Sequence, residues 1–230
     1  MKLSVIILFI IAILGCRGNT SKSKDNEIAV CQNPRQFGDI EICLPEIEGM
    51  TECFRENAIN EYVSRFDFDV NEIIGFYLSQ NDHDNFKSGA NPKMDGYLKI
   101  FSPKRLKNLE ISNSNLNEMS DLMSSNFLNS RWDDITKKVD ELGTKLKIDV
   151  PIKLEEYNLS DNSRTIITFM KTSSEIDEVF TIMVINLLNI KNRLIWASYY
   201  QSYSGHETVS FVKKKNDYLI NKLLTSNSEN

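Results

Sequence analysis

Two runs decide the fold: Val179-Phe180-Thr181-Ile182-Met183-Val184-Ile185-Asn186-Leu187-Leu188, and, after a turn around Lys191-Asn192, Arg193-Leu194-Ile195-Trp196-Ala197-Ser198-Tyr199-Tyr200-Gln201-Ser202-Tyr203. The first is nearly all apolar. In the second, side chains alternate between faces if the run is a strand. Leu194, Trp196 and Tyr200 then share one face, and Ile195, Tyr199 and Tyr203 the other. A strand loaded with large side chains on both faces needs cover on both. The short turn between the runs favours an antiparallel hairpin.

Working outward, Arg164 to Lys171 carries Ile166, Ile167, Phe169 and Met170, and Ile152 to Tyr157 follows Pro151, with a Ser160-Asp161-Asn162-Ser163 turn between them. These give four consecutive strands. Downstream, Ser204 followed by Glu207 reads as a capping box that opens a final helix, with Val209, Val212, Leu219, Ile220 and Leu223 as its apolar face. Upstream, Leu116, Met119, Met123, Phe127 and then Trp132, Ile135, Val139 and Leu142 recur at helical steps. Asn115 with Glu118 reads as the helix start, Ser130 with Asp133 as a second start, and Gly143 as a stop. Earlier still, Ile40 to Leu44 alternates up to Pro45, Ile73 to Leu78 is a continuous apolar run, and Tyr97 to Phe101 precedes Ser102-Pro103. Gly89 to Gly96 is a loop by its breakers. Strands, helices, four strands and a helix make an α+β domain, a mainly antiparallel sheet with helices packed on its faces.

The stretch Asn192-Arg193-Leu194-Ile195 through Tyr199-Tyr200 and Gly205-His206-Glu207, closing on Leu223-Leu224, resembles the C-terminal part of PsbP/DcrB-like domains. Ile42-Cys43-Leu44-Pro45 resembles their first strand. The resemblance covers residues 37–225 and implies a sandwich of an antiparallel sheet between helices. Members of that family mostly bind proteins or act as accessory factors, and their shared motifs are architectural, so no catalytic residue carries over.

At the other end, Lys2 is followed by an apolar run from Leu3 to Leu14 in which Ser4 alone is polar. That is too short to span a bilayer, which takes roughly 20 apolar residues. It has the form of a secretory signal peptide. Ile13-Leu14-Gly15-Cys16 resembles the lipobox of bacterial lipoproteins, which implies cleavage before Cys16 and lipid on its sulfur and new amino group. Two or more acyl chains give stable anchoring, at about 0.8 kcal/mol per buried CH2. An uncleaved membrane helix, and ordinary cleavage with Cys16 incidental, are the competing readings. Arg17 to Glu27 holds no apolar residue and reads as part of a flexible tether. The expected organisation is a signal peptide at 1–15, a lipidated N-terminus and tether at 16–36, one domain at 37–225 and a disordered tail at 226–230. The expected address is the bacterial envelope, on the outer membrane where the cell has one.

Lys and Arg number 27 and Asp and Glu 32, a net charge of -5; loss of Lys2 with residues 1–15 makes it -6. A mildly acidic chain is a poor partner for nucleic acid or anionic lipid. The lipid, rather than charge, would hold it to a membrane. Of the four cysteines, Cys31, Cys43 and Cys53 remain if Cys16 is lipidated. Export permits a disulfide. Cys43 with Cys53 flanks a turn-like stretch and is the favoured pair, with Cys31–Cys43 its close competitor.

Catalytic motifs do not emerge. His83 lies in Asn81-Asp82-His83-Asp84-Asn85, read as a polar surface loop rather than a metal site. His206 reads as an exposed first-turn residue. Asp67 to Glu72 begins like a calcium loop, but the positions for Gly and Glu hold Glu72 and Leu78. Ser21-x-x-Lys24 falls in the tether, and the adjacent acids Asp133-Asp134 and Glu155-Glu156 point different ways on a helix or strand. Lys213-Lys214-Lys215 reads as a solvated helix face. No cofactor or metal is expected. The leading expectation is a non-enzymatic, lipid-anchored domain that binds another envelope protein. The alternative is a ligand- or glycan-binding lipoprotein using Trp196 and Tyr200, and the third a hydrolase assembled from distant residues.

Overall fold

The computed structural model describes residues 31–65, 70–90, 92–123, 137, 147–173 and 177–228. Its chain forms β1 (Pro34–Phe37), β2 (Ile40–Cys43), β3 (Met50–Glu52), α1 (Asn57–Arg65), β4 (Asn71–Ser79), α2 (Gln80–Lys87), β5 (Tyr97–Pro103), α3 (Asn113–Leu122), β6 (Lys147–Ile148), β7 (Ile152–Tyr157), β8 (Ser163–Ser173), β9 (Glu178–Ile190), β10 (Arg193–Ser202) and α4 (His206–Ser226). The fold is α+β. One sheet runs β3-β4-β5-β10-β9-β8, and β6 and β7 both pair with β8 beyond it. Every pairing in it is antiparallel.

The two runs that decide the fold are the centre of this sheet. Ile190 pairs with Arg193 across a two-residue loop in which Lys191 and Asn192 have φ of 49° and 59°. Positive φ at both central residues is the mirror-image turn whose twist matches the flanking strands. The register then pairs Trp196 with Leu187 and Tyr200 with Met183 on one side, and Trp196 with Phe101 and Tyr200 with Tyr97 on the other.

Both faces of β10 are covered, as its loading requires. On one face α4 lays Val212, Leu219, Ile220 and Leu223 against Ile182, Val184, Ile195, Ala197 and Tyr199. The β1–β2 hairpin joins this layer through Phe37, Ile42 and Leu44. Gly75, at a bulge in β4, makes room for it: a Cβ there would lie 2.8 Å from Leu44 Cδ1. On the opposite face, α3 covers a cluster of Ile111, Leu116, Ile166, Ile185, Leu187 and Leu194. A separate cluster of Cys53, Ile59, Val63, Phe76 and Leu78 lies where α1 meets β4.

Several expectations need correction. The ordered unit begins before residue 37: Pro34 to Phe37 pairs with Ile40 to Cys43. It also extends past residue 225, because Asn227 is buried and its side-chain amide both accepts from Cys43 N at 2.7 Å and donates to Cys43 O at 2.8 Å. Residues 80–87 form a helix, not a loop, since Ser79 Oγ accepts from Asp82 N and caps it. The start of α3 is Ser112, which forms a reciprocal capping box with Asn115. Ser204 and Glu207 form no box: Gly205 is the cap residue of α4, and Ser204 bonds Thr208 instead. The expected helical continuation through Phe127, Trp132, Ile135, Val139 and Leu142 lies outside the described residues.

Candidate functional site

Alternation along β5 and β10 places Tyr97, Lys99, Tyr200 and Trp196 on the sheet face opposite α4. At the α1 end of that face, Tyr97, Lys99 and Tyr200 meet Phe76 from β4, Tyr62 and Val63 from α1, and Met94 from the loop before β5, around an open pocket of about 350 Å³. Tyr97 and Tyr200 stack with ring centroids 4.5 Å apart and planes at 11°. Phe76 adds a tilted contact with Tyr97 at 5.5 Å. Such aromatic pairs contribute about 0.5–1.5 kcal/mol beyond their area burial. Burial, with Tyr200 and Tyr62 adding to it, pushes the Tyr97 phenol well above its ordinary range, so Tyr97 stays neutral at physiological pH.

One wall is held by a buried carboxylate. Asp82 is 3% exposed and accepts from Lys93 N at 2.9 Å and Asp95 N at 3.1 Å. It grips the backbone on both sides of Met94, whose φ is 55°. Asp95 in turn accepts from Gln201 Nε2 and from Ser202 N, which stitches the loop to β10. Gly96 closes it at φ 82°, where a Cβ would crowd Gln201 and Tyr199. A bulky residue in the left-handed region persists only where its surroundings over-determine it, and such strain clusters at binding sites.

The expected ligand pair divides. Tyr200 lines the pocket. Trp196 does not: it sits half-buried beside Phe101 at the α3 end, and its indole N–H is buried without a hydrogen-bond partner among the described residues. Phe76, Tyr97 and Lys99 come from strands named in the sequence, and the remaining walls from elements that sequence reading missed. Tyr62 and Val63 belong to an unexpected helix, although Ile59 and Val63 are four apart and both face inward. Met94 lies in a loop recognised only by its breakers.

Among the cysteines, Cys31 is bonded to Cys43, which corrects the favoured Cys43–Cys53 pairing. The reason is orientation: Cys53 is 1% exposed in the cluster beneath α1, its Sγ against Phe76 O at 3.3 Å. Burial, then the Glu52 and Glu56 carboxylates, push its thiol up to about 12. Cys16 lies outside the described residues, as do Asp67, Asp133 and Asp134. His83 is not in a surface loop: it is 5% exposed on α2, with Nε2 2.7 Å from Glu56 Oε1. No group of three His, Cys, Asp or Glu side chains among the described residues is placed to hold a metal. Lys213 pairs with Glu155 and lies over the Tyr157 ring. Glu156 turns away from Glu155 to Lys153 and Ser120.

His206 is exposed and lines an open cleft of about 540 Å³ with Ser202, Ser204, Glu207, Thr208 and Phe211. Ser204 bonds Thr208 there, and none of the described hydrogen bonds joins His206 to a serine or to Glu207. Nucleophilic catalysis needs that contact between nucleophile and base, so the cleft gives the hydrolase reading little support. A third cleft, of about 800 Å³, lies at the β9–β10 turn. It is lined by asparagines, among them Asn113, Asn162 and Asn189, which bond one another in series.

The class that this geometry defines is an α+β domain with an eight-stranded antiparallel sheet between helical layers and an aromatic pocket on one face. No protein-family model matches the chain, and no curated protein matches it. Two solved structures do. One, of a point mutant of the protein Mog1, shares 13% identity and a TM-score of 0.34, over 85% of this chain and 93% of that one. The other, of the Saccharomyces cerevisiae Ran-binding protein Mog1p, also has 13% identity and a TM-score of 0.34, over 81% and 86%. Both are Mog1 proteins, and a likeness this distant says nothing of what this chain binds.

Proposed function

We propose that the chain is a bacterial lipoprotein, anchored through lipid on Cys16, whose domain is a non-enzymatic interaction module for another envelope protein. The observation that carries it is the apolar run from Leu3 to Leu14 ending in Ile13-Leu14-Gly15-Cys16. The Cys31–Cys43 disulfide supports export, since such bonds persist in oxidising compartments. Exposed apolar side chains support the interaction module. Ile152, 61% exposed on β7, pairs with Phe169 on β8, and Phe169 stacks on the 37%-exposed Phe180 of β9. Together they make an apolar strip across three strands, of the kind that marks interaction surfaces.

The test is crosslinking in living cells with wild type, Cys16→Ala and Phe180→Ser. Wild type is expected in the membrane fraction, with an acylated N-terminal peptide by mass spectrometry and one envelope protein captured. Cys16→Ala should lose the acyl group and leave the membrane fraction, and Phe180→Ser should remain anchored but lose the partner. A Cys16→Ala protein that keeps both its mass and its membrane fraction defeats the anchor; capture that is unchanged in Phe180→Ser defeats the strip. A second reading, a ligand-binding lipoprotein, is favoured by the pocket that holds Tyr200.

A further inference from the structure

We infer that the open cleft at the β9–β10 turn is a binding site for a neutral saccharide of disaccharide size. It is a second site, apart from the aromatic pocket, and does not rest on the ligand reading of Tyr200.

The start of α3, the turn between β7 and β8, the β9–β10 loop and the last turns of α4 converge there. The cleft holds about 800 Å³, within the roughly 300–1,000 Å³ of small-molecule sites. Its lining includes Asn113, Asn162, Asn189, Asn192, Asn221 and Asn227. Asparagine is common where chains turn, and most of these have that local reason. Asn192 takes φ of 59° in the hairpin loop, Asn162 lies in the β7–β8 turn, Asn113 opens α3 and Asn227 caps α4. Asn189 stands in a strand, where asparagine is depleted, but its amide has structural work: it donates to Asn113 Oδ1 and, at 3.5 Å, to Ile111 O. Asn221 has neither reason. It is exposed in the interior of α4, where asparagine is a poorer helix former than alanine, and none of the described hydrogen bonds uses its side chain. A local preference broken with no structural gain is expected at functional positions.

The other amides present a directed donor. Asn189 Nδ2 donates to Asn113 Oδ1 at 2.8 Å, and Asn113 Nδ2 donates to Asn162 Oδ1 at 3.0 Å. Hydrogen bonds in series polarise one another, so an amide that accepts at its oxygen donates better from its nitrogen. The series ends on the exposed Asn162, whose Nδ2 is the strengthened donor. Asn221 adds a donor and an acceptor together. Sugar hydroxyls also donate and accept, and neighbouring hydroxyls match the nitrogen and oxygen of one amide. The half-buried Leu224 seats the C–H face of a ring. Charge favours neither sign. Lys191 lines the cleft, and so does the C-terminal end of the 21-residue α4, which carries partial negative charge. A cation is opposed by the first and an anion by the second.

Maltose, cellobiose, lactose and diacetylchitobiose are titrated into the full 15N-labelled chain. The side-chain amide signals of Asn162 and Asn221, assigned with Asn162→Ala and Asn221→Ala, report occupancy. At least one of these sugars is expected to bind with a Kd of about 1 mM or tighter. Each variant should weaken that sugar at least about tenfold, as read from the backbone amides of Lys191 and Asn192. Both substitutions are at exposed positions, and Asn221→Ala favours the helix, so the fold is kept. Met94→Ala, in the aromatic pocket, should leave binding unchanged. Deacetylated chitobiose, which carries ammonium groups, and hyaluronan disaccharide, which carries a carboxylate, should bind at least about tenfold weaker than the best neutral sugar. A charged sugar that equals it overturns the neutral assignment. No shift with any of the four, a shift that survives both asparagine variants, or one that disappears in Met94→Ala overturns the cleft as the site.

Discussion

The two faces of the sheet solve the same packing problem differently. On one, the 21-residue α4 runs across β9 and β10, with Val212, Leu219, Ile220 and Leu223 fully buried. The polar groups trapped beneath it are paired. Asn186 and Asn216 exchange amide bonds at 2.8 and 3.1 Å, Thr165 donates to Asn186, and Asn186 donates to Ala197 O. On the other face, α1 with 9 residues and α3 with 10 cover two clusters that stay separate among the described residues. A continuous helix fills its groove and leaves no cleft along its middle, only open clefts at its two ends. Short helices set side by side leave one, and the aromatic pocket lies beside α1. The comparison assigns stability chiefly to the α4 face and the aromatic pocket to the opposite one.

The sharpest way to break that division is to truncate one residue on each side. Leu219→Ala removes a fully buried side chain and should destabilise the fold by about 2–5 kcal/mol. Met94→Ala, in the half-buried pocket wall, should cost less than about 1 kcal/mol. Urea unfolding of both variants reads the difference. Equal losses would mean that the pocket wall belongs to the core.

The hairpin of β1 and β2 extends the α4 face, and its disulfide makes the next largest contribution. Cys31 and Cys43 are 12 residues apart, and constraining a loop of about that length contributes about 3 kcal/mol by restricting the unfolded chain. Cys31→Ser with Cys43→Ser should lose about that amount. Added reductant should then have no further effect on the double variant, whereas it should bring wild type down to the same stability.

A smaller loss, about 1–3 kcal/mol, is expected for Asn216→Ala, which removes one amide of the buried network and leaves Asn186 incompletely bonded. The network also restricts how α4 sits on the sheet. Hydrogen exchange at the β9 and β10 amides should therefore accelerate more than the global loss alone requires. Uniform acceleration would reduce Asn216 to an ordinary stabilising contact.

The α4 face was largely legible in the sequence because its signal is apolar periodicity. Val212, Leu219, Ile220 and Leu223 recur at helical steps, and the alternation in β10 named both of its faces. The pocket face was not, because its elements are polar or short. Residues 80–87 hold Phe86 alone as a large apolar side chain, and their inward residues include Asp82 and His83, which become acceptable inside only when Lys93, Asp95 and Glu56 supply partners. The Ser79–Asp82 cap was the one available local sign. The cysteine pairing was hidden for a related reason. Separations of 12 and 10 residues are equally bridgeable, and the choice follows from the β1–β2 register, which spacing does not reveal.

Cys53 tests the pocket face by pH. Its thiol is buried beside Phe76, and burial together with Glu52 and Glu56 lifts it to about 12, against 9.0 for an unperturbed thiol. The folded chain thus holds a proton that the unfolded chain releases first. The contribution to stability is complete below pH 9 and is lost as pH rises towards 12. The slope from this one group is at most about 1.4 kcal/mol per pH unit. Tyr77, Tyr157 and Tyr199, all raised by burial, add slopes of the same sign above the ordinary phenol range. Cys53→Ala should therefore flatten the alkaline limb between about pH 8.5 and 9.5, where unfolded phenols, with an ordinary value of 10.0, are still mostly protonated, and leave the curve from pH 6 to 8 parallel to wild type. Thiol reagents at pH 8 should label Cys53 only as fast as the α1 end opens. Rapid labelling of the native chain, with an alkaline limb identical in the variant, would show that α1 does not seal this end of the sheet, and the division between a sealed and a pocketed face would have to be redrawn around it.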